Sequence, residues 1–224
     1  MFDAKARVRK SQNLADAIAN KITLNNALYQ AFIDIDREVF MPNGLKIHAY
    51  KLDALPMGED QWISSPLTVA KMTLALEIDK NVDSVLEIGC GSGYQAAILS
   101  RLIRRVFTIE RIENLIRSAK EKFSLLGIHN VHTRFDDGQK GWRDYAPFDR
   151  ILFSASTKEV PQALFEQLNS GGILIAPIEK ETKIQVITKF TKTENSIKKE
   201  ELETCLFVPV LDGIKTLKNC KNKD

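Results

Sequence analysis

"VLEIGCGSGYQAA", residues 85–97, places three glycines at alternate positions directly after an apolar run. The apolar run predicts a buried strand, and the residues that follow the glycines predict a helix. Glycines in a turn from strand to helix let a ligand approach the backbone closely. We therefore expect a ligand site at Gly89, Gly91 and Gly93, at the carboxyl end of the strand.

Strands and helices alternate downstream of this turn. Buried-strand patterns recur at "RVFTIER", "VHTRFDD", "DRILFSA" and "GGILIAPI", with helical patterns such as "ENLIRSAKEKFSLLG" between them. This alternation predicts an α/β fold with a doubly wound, mostly parallel, Rossmann-like sheet. Residues 183–210 predict two longer strands joined by a polar turn, which add an antiparallel edge at the C-terminal side of the sheet.

The first 80 residues predict a helical extension with an irregular insert. Residues 11–21 and 23–36 each have apolar residues at helical spacing and a first residue of a capping type. Residues 39–66 are rich in Pro and Gly without clear periodicity, which predicts a long and often functional kind of loop. A helix resumes at Pro66, with Ser64 or Ser65 near its N-cap.

Composition and charge limit the possible functions. The chain has 224 residues, of which 44% are hydrophobic and 27% are charged, as is usual for a globular domain. A net charge of +3 does not indicate a nucleic-acid partner. The sequence contains no apolar run long enough to span a membrane and starts without the apolar centre of a signal peptide, so we expect a cytoplasmic protein with no membrane partner. We also expect a monomer.

We expect one domain, residues 1–224. It divides into the extension (1–80) on the substrate side, a ligand-binding core (81–211) and a solvated basic tail (212–224). The three cysteines, Cys90, Cys205 and Cys220, are odd in number and form no Cys-x-x-Cys pair, which predicts reduced thiols. No spacing of histidines or cysteines suits a metal, and we expect none.

Acidic residues accompany the predicted strand ends. Glu87 precedes the glycine turn, and Glu110 ends the second strand, where a carboxylate can accept hydrogen bonds from ribose hydroxyls. Asp137, after the third strand, can accept a hydrogen bond from an adenine amino group. These three acids favour an adenosyl ligand without phosphates, such as S-adenosylmethionine, which carries an ammonium and a sulfonium group.

Two other interpretations remain open at this point. A nicotinamide or flavin fingerprint is satisfied in a late register by Gly91, Gly93 and Ala96. A turn whose glycines serve only packing, with solvated acids, is the structural alternative.

The sequence resembles the protein-L-isoaspartate O-methyltransferase family over most of its length. The stretches that carry the resemblance are "DREVFMP", "DALPMGEDQWISSP", "VLEIGCGSGYQAAILS", "TIER", "DDGQKGW", "PFDRILFSAS", "LNSGGILIAPI" and "FVPV". The second stretch is the most specific, because the glycine turn is common to many methyltransferases. The resemblance implies a methyltransferase fold and methyl transfer from S-adenosylmethionine to the α-carboxyl of L-isoaspartyl residues in damaged proteins and peptides. The ester then closes to a succinimide, which begins repair.

The resemblance also implies roles for residues at matching positions. Ser64 matches the active-site serine, and Gln61 and Ile63 match substrate-binding neighbours, with Trp62 between them. The cofactor would contact Glu87, Gly89, Gly91 and Gly93 through its methionine part, Glu110 through its ribose, and Asp137 and Gly138 through its adenine.

Several residues depart from the family pattern, among them Ser65, where the family usually has Gln or Ala, and Asp136 in the triplet Asp136-Asp137-Gly138. Trp62 stands where the family has a small residue, and Glu59 and Asp60 add two carboxylates to the same loop. We expect these carboxylates to point to solvent. A different carboxylate acceptor, or a non-catalytic isoaspartyl-binding module, is the alternative function.

Overall fold

The computed structural model describes residues 2–216, and a seven-stranded sheet with flanking helices forms its centre. The helices are α1 (Phe2–Ala19), α2 (Asn26–Asp34), α3 (Pro66–Ala75), α4 (Tyr94–Leu99), α5 (Glu113–Leu125) and α6 (Gln162–Glu166). The strands are β1 (Leu55–Met57), β2 (Gln61–Ile63), β3 (Ser84–Ile88), β4 (Arg105–Glu110), β5 (Val131–Phe135), β6 (Phe148–Phe153), β7 (Leu168–Glu179), β8 (Gln185–Lys192) and β9 (Ile197–Cys205).

The large sheet has the strand order β5-β4-β3-β6-β7-β8-β9. Its first five strands are parallel, while β8 and β9 add an antiparallel edge. The strand order reverses at β3, which pairs with β4 on one side and β6 on the other, and ligands of doubly wound sheets bind beside such a reversal. The predicted fold class is confirmed.

The N-terminal helices begin at positions other than those predicted. Helix α1 runs straight through Ser11, which is 2% exposed and does not start a helix. Helix α2 is capped by Asn25 rather than by Thr23, because the Asn25 side chain accepts a 2.8 Å hydrogen bond from the Leu28 amide.

The predicted loop at residues 39–66 contains regular structure. Short 3-10 helices occupy Arg37–Phe40 and Asn43–His48, and β1 and β2 form an antiparallel hairpin, here called the acceptor hairpin. Strands of three residues, one of which contains Pro56, are too short to produce a periodic pattern. No pattern in the sequence therefore predicts this hairpin.

Arg37 joins the parts of this insert. Its side chain is fully buried, and the guanidinium donates hydrogen bonds to four backbone carbonyls. These belong to Ala49 (2.8 Å), Lys51 (3.2 Å), Asp53 (3.2 Å) and Ser64 (3.0 Å). The five donors of a guanidinium suit such a cluster of acceptors, and the arrangement fixes the end of the acceptor hairpin.

The C-terminal segment differs from the predicted solvated tail. Residues 208–215, here called the C-terminal strap, cross the carboxyl ends of the parallel strands. The Val210 amide donates to the Ser156 carbonyl at 2.7 Å, and the Lys215 amide donates to the Arg111 carbonyl at 2.7 Å. Residues 212–215 are therefore bound to the core, and residues 217–224 of the predicted tail, with Cys220, lie outside the described residues. No helix within residues 2–216 is both long and apolar enough to cross a membrane.

Candidate active site

A cavity that is partly open to solvent lies at the carboxyl ends of β3 and β4. Its walls come from the acceptor hairpin, the glycine turn and the C-terminal strap. The predicted substrate residues Gln61, Trp62, Ile63 and Ser64 all line it, as do the predicted cofactor residues Glu87, Gly89, Gly91, Glu110 and Gly138. The cavity is thus where the predicted substrate and cofactor residues meet.

The glycines of the turn serve two different purposes. Gly91 has a φ of 53°, and a Cβ atom built on it would meet no protein atom within 4 Å, so its missing side chain leaves cavity space open. Gly93 caps α4 with a φ of 89°, and a Cβ there would lie 2.9 Å from the Phe123 ring. Gly93 therefore allows α4 and α5 to pack closely and does not line the cavity.

Glu110 braces the glycine turn. Its carboxylate accepts hydrogen bonds from the Gly91 amide at 2.8 Å and the Ile112 amide at 3.0 Å. Burial raises the pKa of Glu110, although these amides partly oppose the rise. Each carboxylate oxygen has a further lone pair with which it can accept a hydrogen bond from a ligand hydroxyl.

Glu87 is fully buried within β3. It accepts hydrogen bonds from the Thr108 hydroxyl at 2.6 Å and the Ser154 hydroxyl at 2.8 Å. The pKa of Glu87 is raised to about 8, chiefly by burial; the nearby Glu110 contributes to the rise, and the two hydroxyls oppose it. A positively charged ligand group in the cavity would favour ionisation of this acid.

Asp137 is buried at the end of β5, but it does not line the cavity. Its carboxylate accepts hydrogen bonds from the Gln139 amide and from the Gly213 amide of the strap, both at 3.0 Å. The adjacent Gly138 does line the cavity, and a Cβ on it would lie 2.6 Å from the Ile88 side chain. In this structure Asp137 shapes the turn that brings Gly138 against β3, and it anchors the strap.

Ser64 and Ser65 have separate environments. The Ser65 side chain caps α3, accepting from the Leu67 and Thr68 amides, and Pro66 takes the first helical position. Ser64 lines the cavity, and within residues 2–216 the structure gives its hydroxyl no protein hydrogen-bond partner. The hydroxyl is therefore available to a ligand.

The departures from the family pattern lie in three environments. Trp62 is 56% exposed and stands at the cavity wall, where it can contact an acceptor. Asp60 is exposed, as expected. Glu59 does not point to solvent as expected: its side chain is 16% exposed, because it pairs with Lys215 at 2.7 Å and Asn114 at 2.8 Å.

Sequence reasoning missed several residues that shape the site. Ser154 and Thr108 bind Glu87, and neither position carried a signal of its own. Arg37 lies in the stretch "DREVFMP", and the first residues of the strap lie in "FVPV". Neither stretch predicted a role for these residues in the site. Strap residues 208–211 line the cavity together with residues of the acceptor hairpin.

The charges suit an adenosyl ligand better than a dinucleotide. Two buried carboxylates line the cavity, and Arg111 is its one Lys or Arg in the described part of the chain. The Arg111 guanidinium donates to the strap carbonyls of Gly213 and Asp212, at 3.0 and 3.3 Å. Ala96, which the nicotinamide fingerprint requires, is fully buried and does not line the cavity. The two buried carboxylates therefore make the cavity suitable for S-adenosylmethionine.

The structure also bears on the metal and thiol predictions. Among residues 2–216, no three His, Cys, Asp or Glu side chains are grouped as they would be around a metal ion. Cys90 and Cys205 are free thiols, and burial raises the pKa of both.

Known proteins resemble the chain over almost all of its length. The sequence model of the "Protein-L-isoaspartate(D-aspartate) O-methyltransferase (PCMT)" family matches residues 8–215. A protein-L-isoaspartate O-methyltransferase of Helicobacter pylori strain J99 is 55% identical over 206 residues, which are 92% of this chain and 98% of the relative. One of Shewanella baltica strain OS155 is 40% identical over 201 residues, or 90% and 94% of the two chains.

Solved structures agree with these relatives. A protein-L-isoaspartate O-methyltransferase superposes with a TM-score of 0.82 at 28% identity, over 90% of this chain and 66% of that one. A Plasmodium falciparum protein crystallised with S-adenosyl-L-homocysteine has the same fold, with a TM-score of 0.79 at 23% identity over 89% and 97% of the chains. The chain belongs to the protein-L-isoaspartate(D-aspartate) O-methyltransferase family.

Proposed function

We propose that Ser64 and the acceptor hairpin carry out the reaction of this family: methyl transfer from S-adenosylmethionine to the α-carboxyl of an L-isoaspartyl residue. When bound, the cofactor supplies a methyl group on a positively charged sulfur, and its transfer to a carboxylate oxygen gives a methyl ester and S-adenosylhomocysteine. One observation carries the assignment of Ser64. Its hydroxyl lines the cavity, while the helix cap is formed by Ser65.

The chain has to position the acceptor rather than activate it. A carboxylate is already a nucleophile at neutral pH, so no general base is required. Ser64 donates a hydrogen bond to one carboxylate oxygen and leaves the other oriented for attack, which is a contribution of proximity and orientation. Arg37 supports this role, because it holds the Ser64 carbonyl at 3.0 Å. Gln61, Trp62 and Ile63 provide the wall along the acceptor.

The cofactor is held by the residues at the ends of β3 and β4 and by Gly138. Glu110 accepts hydrogen bonds from the ribose hydroxyls, and Glu87 offers negative charge to the methionine part. Gly89, Gly91 and Gly138 let the ligand approach the backbone. The contacts of Gly93 and Asp137 with the cofactor stay predictions; their positions support an indirect contribution, through helix packing and through the strap.

Incorporation of base-labile methyl groups tests this function. An L-isoaspartyl peptide and its aspartyl twin are incubated with the protein and labelled S-adenosylmethionine. We expect label in the isoaspartyl peptide alone. Equal labelling of both peptides would indicate another carboxylate acceptor. Cofactor binding without labelling of either would indicate a non-catalytic module.

Action in the cytoplasm, a monomeric state, the absence of a nucleic-acid partner and the division at residues 80 and 211 are further proposals from the sequence. Gel filtration with light scattering tests the monomer. The balanced charge of the chain supports the absence of a nucleic-acid partner.

A further inference from the structure

Glu59 joins three separate parts of the molecule. It lies in the turn of the acceptor hairpin, and its two carboxylate oxygens have different partners. One accepts a hydrogen bond from the Asn114 amide group at 2.8 Å, in the first turn of α5, and the other lies 2.7 Å from the Lys215 ammonium in the C-terminal strap. With only 16% of the side chain exposed, water screens these contacts less than it screens a typical surface pair.

The backbone around Glu59 shows that the side chain is held in place. Glu59 and Asp60 have positive φ values of 65° and 56°, and the Gln61 amide donates to the Gly58 carbonyl at 3.3 Å. A turn with two such central residues favours Asn, Asp or Gly. Glutamate is unfavourable there, and a strained residue persists when its surroundings over-determine it. The contacts with Asn114 and Lys215 supply that restraint.

The two elements that Glu59 joins both contribute to the cavity. Residues 61–64 of the hairpin and residues 208–211 of the strap line it. The strap is itself anchored to the core, within this stretch by Ser156 at Val210 and beyond it by Arg111 and Asp137 at residues 213–215. The pair of Glu59 and Lys215 therefore links two segments that line the cavity, one of which is already fixed to the core.

We propose that Glu59 is a positioning residue that ties the acceptor hairpin to the strap and thereby retains the adenosyl ligand. This proposal rests on the proposed function for the identity of that ligand. Separation of the pair lets the two walls move apart, so the ligand leaves faster. The acceptor site on the hairpin is positioned by the same contact.

Release of S-adenosylhomocysteine provides the test. The dissociation rate is measured by stopped-flow displacement for the wild type, Glu59→Asn, Lys215→Met and the double variant. Asparagine suits the positive φ of the turn but is too short to reach Lys215. Lys215→Met breaks the same contact from the strap, should the turn variant fail to fold. The matched control is Glu201→Ala, which breaks the ion pair between Lys180, just after β7, and Glu201 in β9. Neither residue lines the cavity.

We expect release about fivefold faster in each single variant, no additional effect in the double variant, and an unchanged rate in the control. The KM for S-adenosylmethionine should rise in the same variants with little change in kcat. Unchanged release, or additive effects, with wild-type binding and activity intact, would overturn this proposal alone. A wild-type protein that does not bind S-adenosylhomocysteine would overturn the cofactor assignment, and this proposal with it.

Discussion

Ser64 and Ser65 are adjacent, yet only Ser65 caps helix α3. Its hydroxyl accepts from the Leu67 amide at 3.2 Å, while Ser64 lines the cavity. Of two consecutive serines, one thus completes the helix cap and the other lines the cavity. Substitution of each serine tests whether the second one also binds the substrate.

Ser64→Ala should lower kcat for an isoaspartyl peptide while the melting temperature stays at the wild-type value. Ser65→Ala should cost about 1 kcal/mol of unfolding free energy, with turnover per folded molecule preserved. Steady-state kinetics and thermal denaturation of both variants give the comparison. Full activity of Ser64→Ala would remove Ser64 from the site.

Glu110→Ala should weaken binding of S-adenosylmethionine by about 1–3 kcal/mol, because a buried charged acceptor is lost. The turn also loses the brace on the Gly91 amide. Isothermal titration calorimetry measures the dissociation constant. Asp144→Ala, an exposed acid outside the cavity, is the control and should bind normally. An unchanged constant in Glu110→Ala would contradict the assignment.

Glu87 should make the stability of the ligand-free protein depend on pH. Its pKa rises from 4.5 in a free side chain to about 8 in the folded protein, chiefly through burial. A group with a raised folded-state pKa stabilises fully below its unfolded value, and that contribution is lost as the pH rises through the folded value. Stability relative to Glu87→Gln should therefore fall from pH 5 to pH 9.

Urea denaturation of both proteins across this range measures the difference. Glutamine keeps the size of the side chain and can still bond Thr108 and Ser154, but it cannot ionise. The comparison cancels the other titrating groups, so a flat difference from pH 5 to pH 9 would show that Glu87 does not titrate there.

Trp62→Thr should lower kcat/KM for an isoaspartyl peptide several-fold, since the exposed ring at the cavity wall offers apolar contact to the peptide. Because the side chain is 56% exposed, the melting temperature should change little. Kinetics on a single peptide, at fixed cofactor concentration, measure this. A higher kcat/KM would mean that the indole obstructs the acceptor.

The sequence predicted the parallel sheet well, because strands such as residues 84–88 and 105–110 are short, mostly apolar and buried runs between clear helices. It predicted the cavity residues at the strand ends, such as Gly89, Gly91 and Glu110, for a related reason. Strand ends are local features, and the topology of a doubly wound sheet brings the ends of β3 and β4 together.

Contacts between distant segments were not predictable from local pattern. Arg37 is buried although arginine is usually exposed, and only the folded insert brings four carbonyls to it. The local pattern places Lys215 in a solvated tail. Its pairing with Glu59 links residues far apart in sequence, so no local pattern indicates it. Likewise, nothing in the dipeptide Ser64-Ser65 decides which hydroxyl reaches the helix amides.

The burial of Arg37 has a consequence for how the acceptor site forms. One guanidinium binds carbonyls that are spread over residues 49–64. If one of these segments moved away, the buried charge would lose hydrogen-bond acceptors, which is energetically costly. Segments that share such a centre open together, as one cooperative unit of local unfolding. We therefore expect the 3-10 helices, the hairpin and Ser64 to become ordered together, so that the molecules divide into those with a complete acceptor site and those with none.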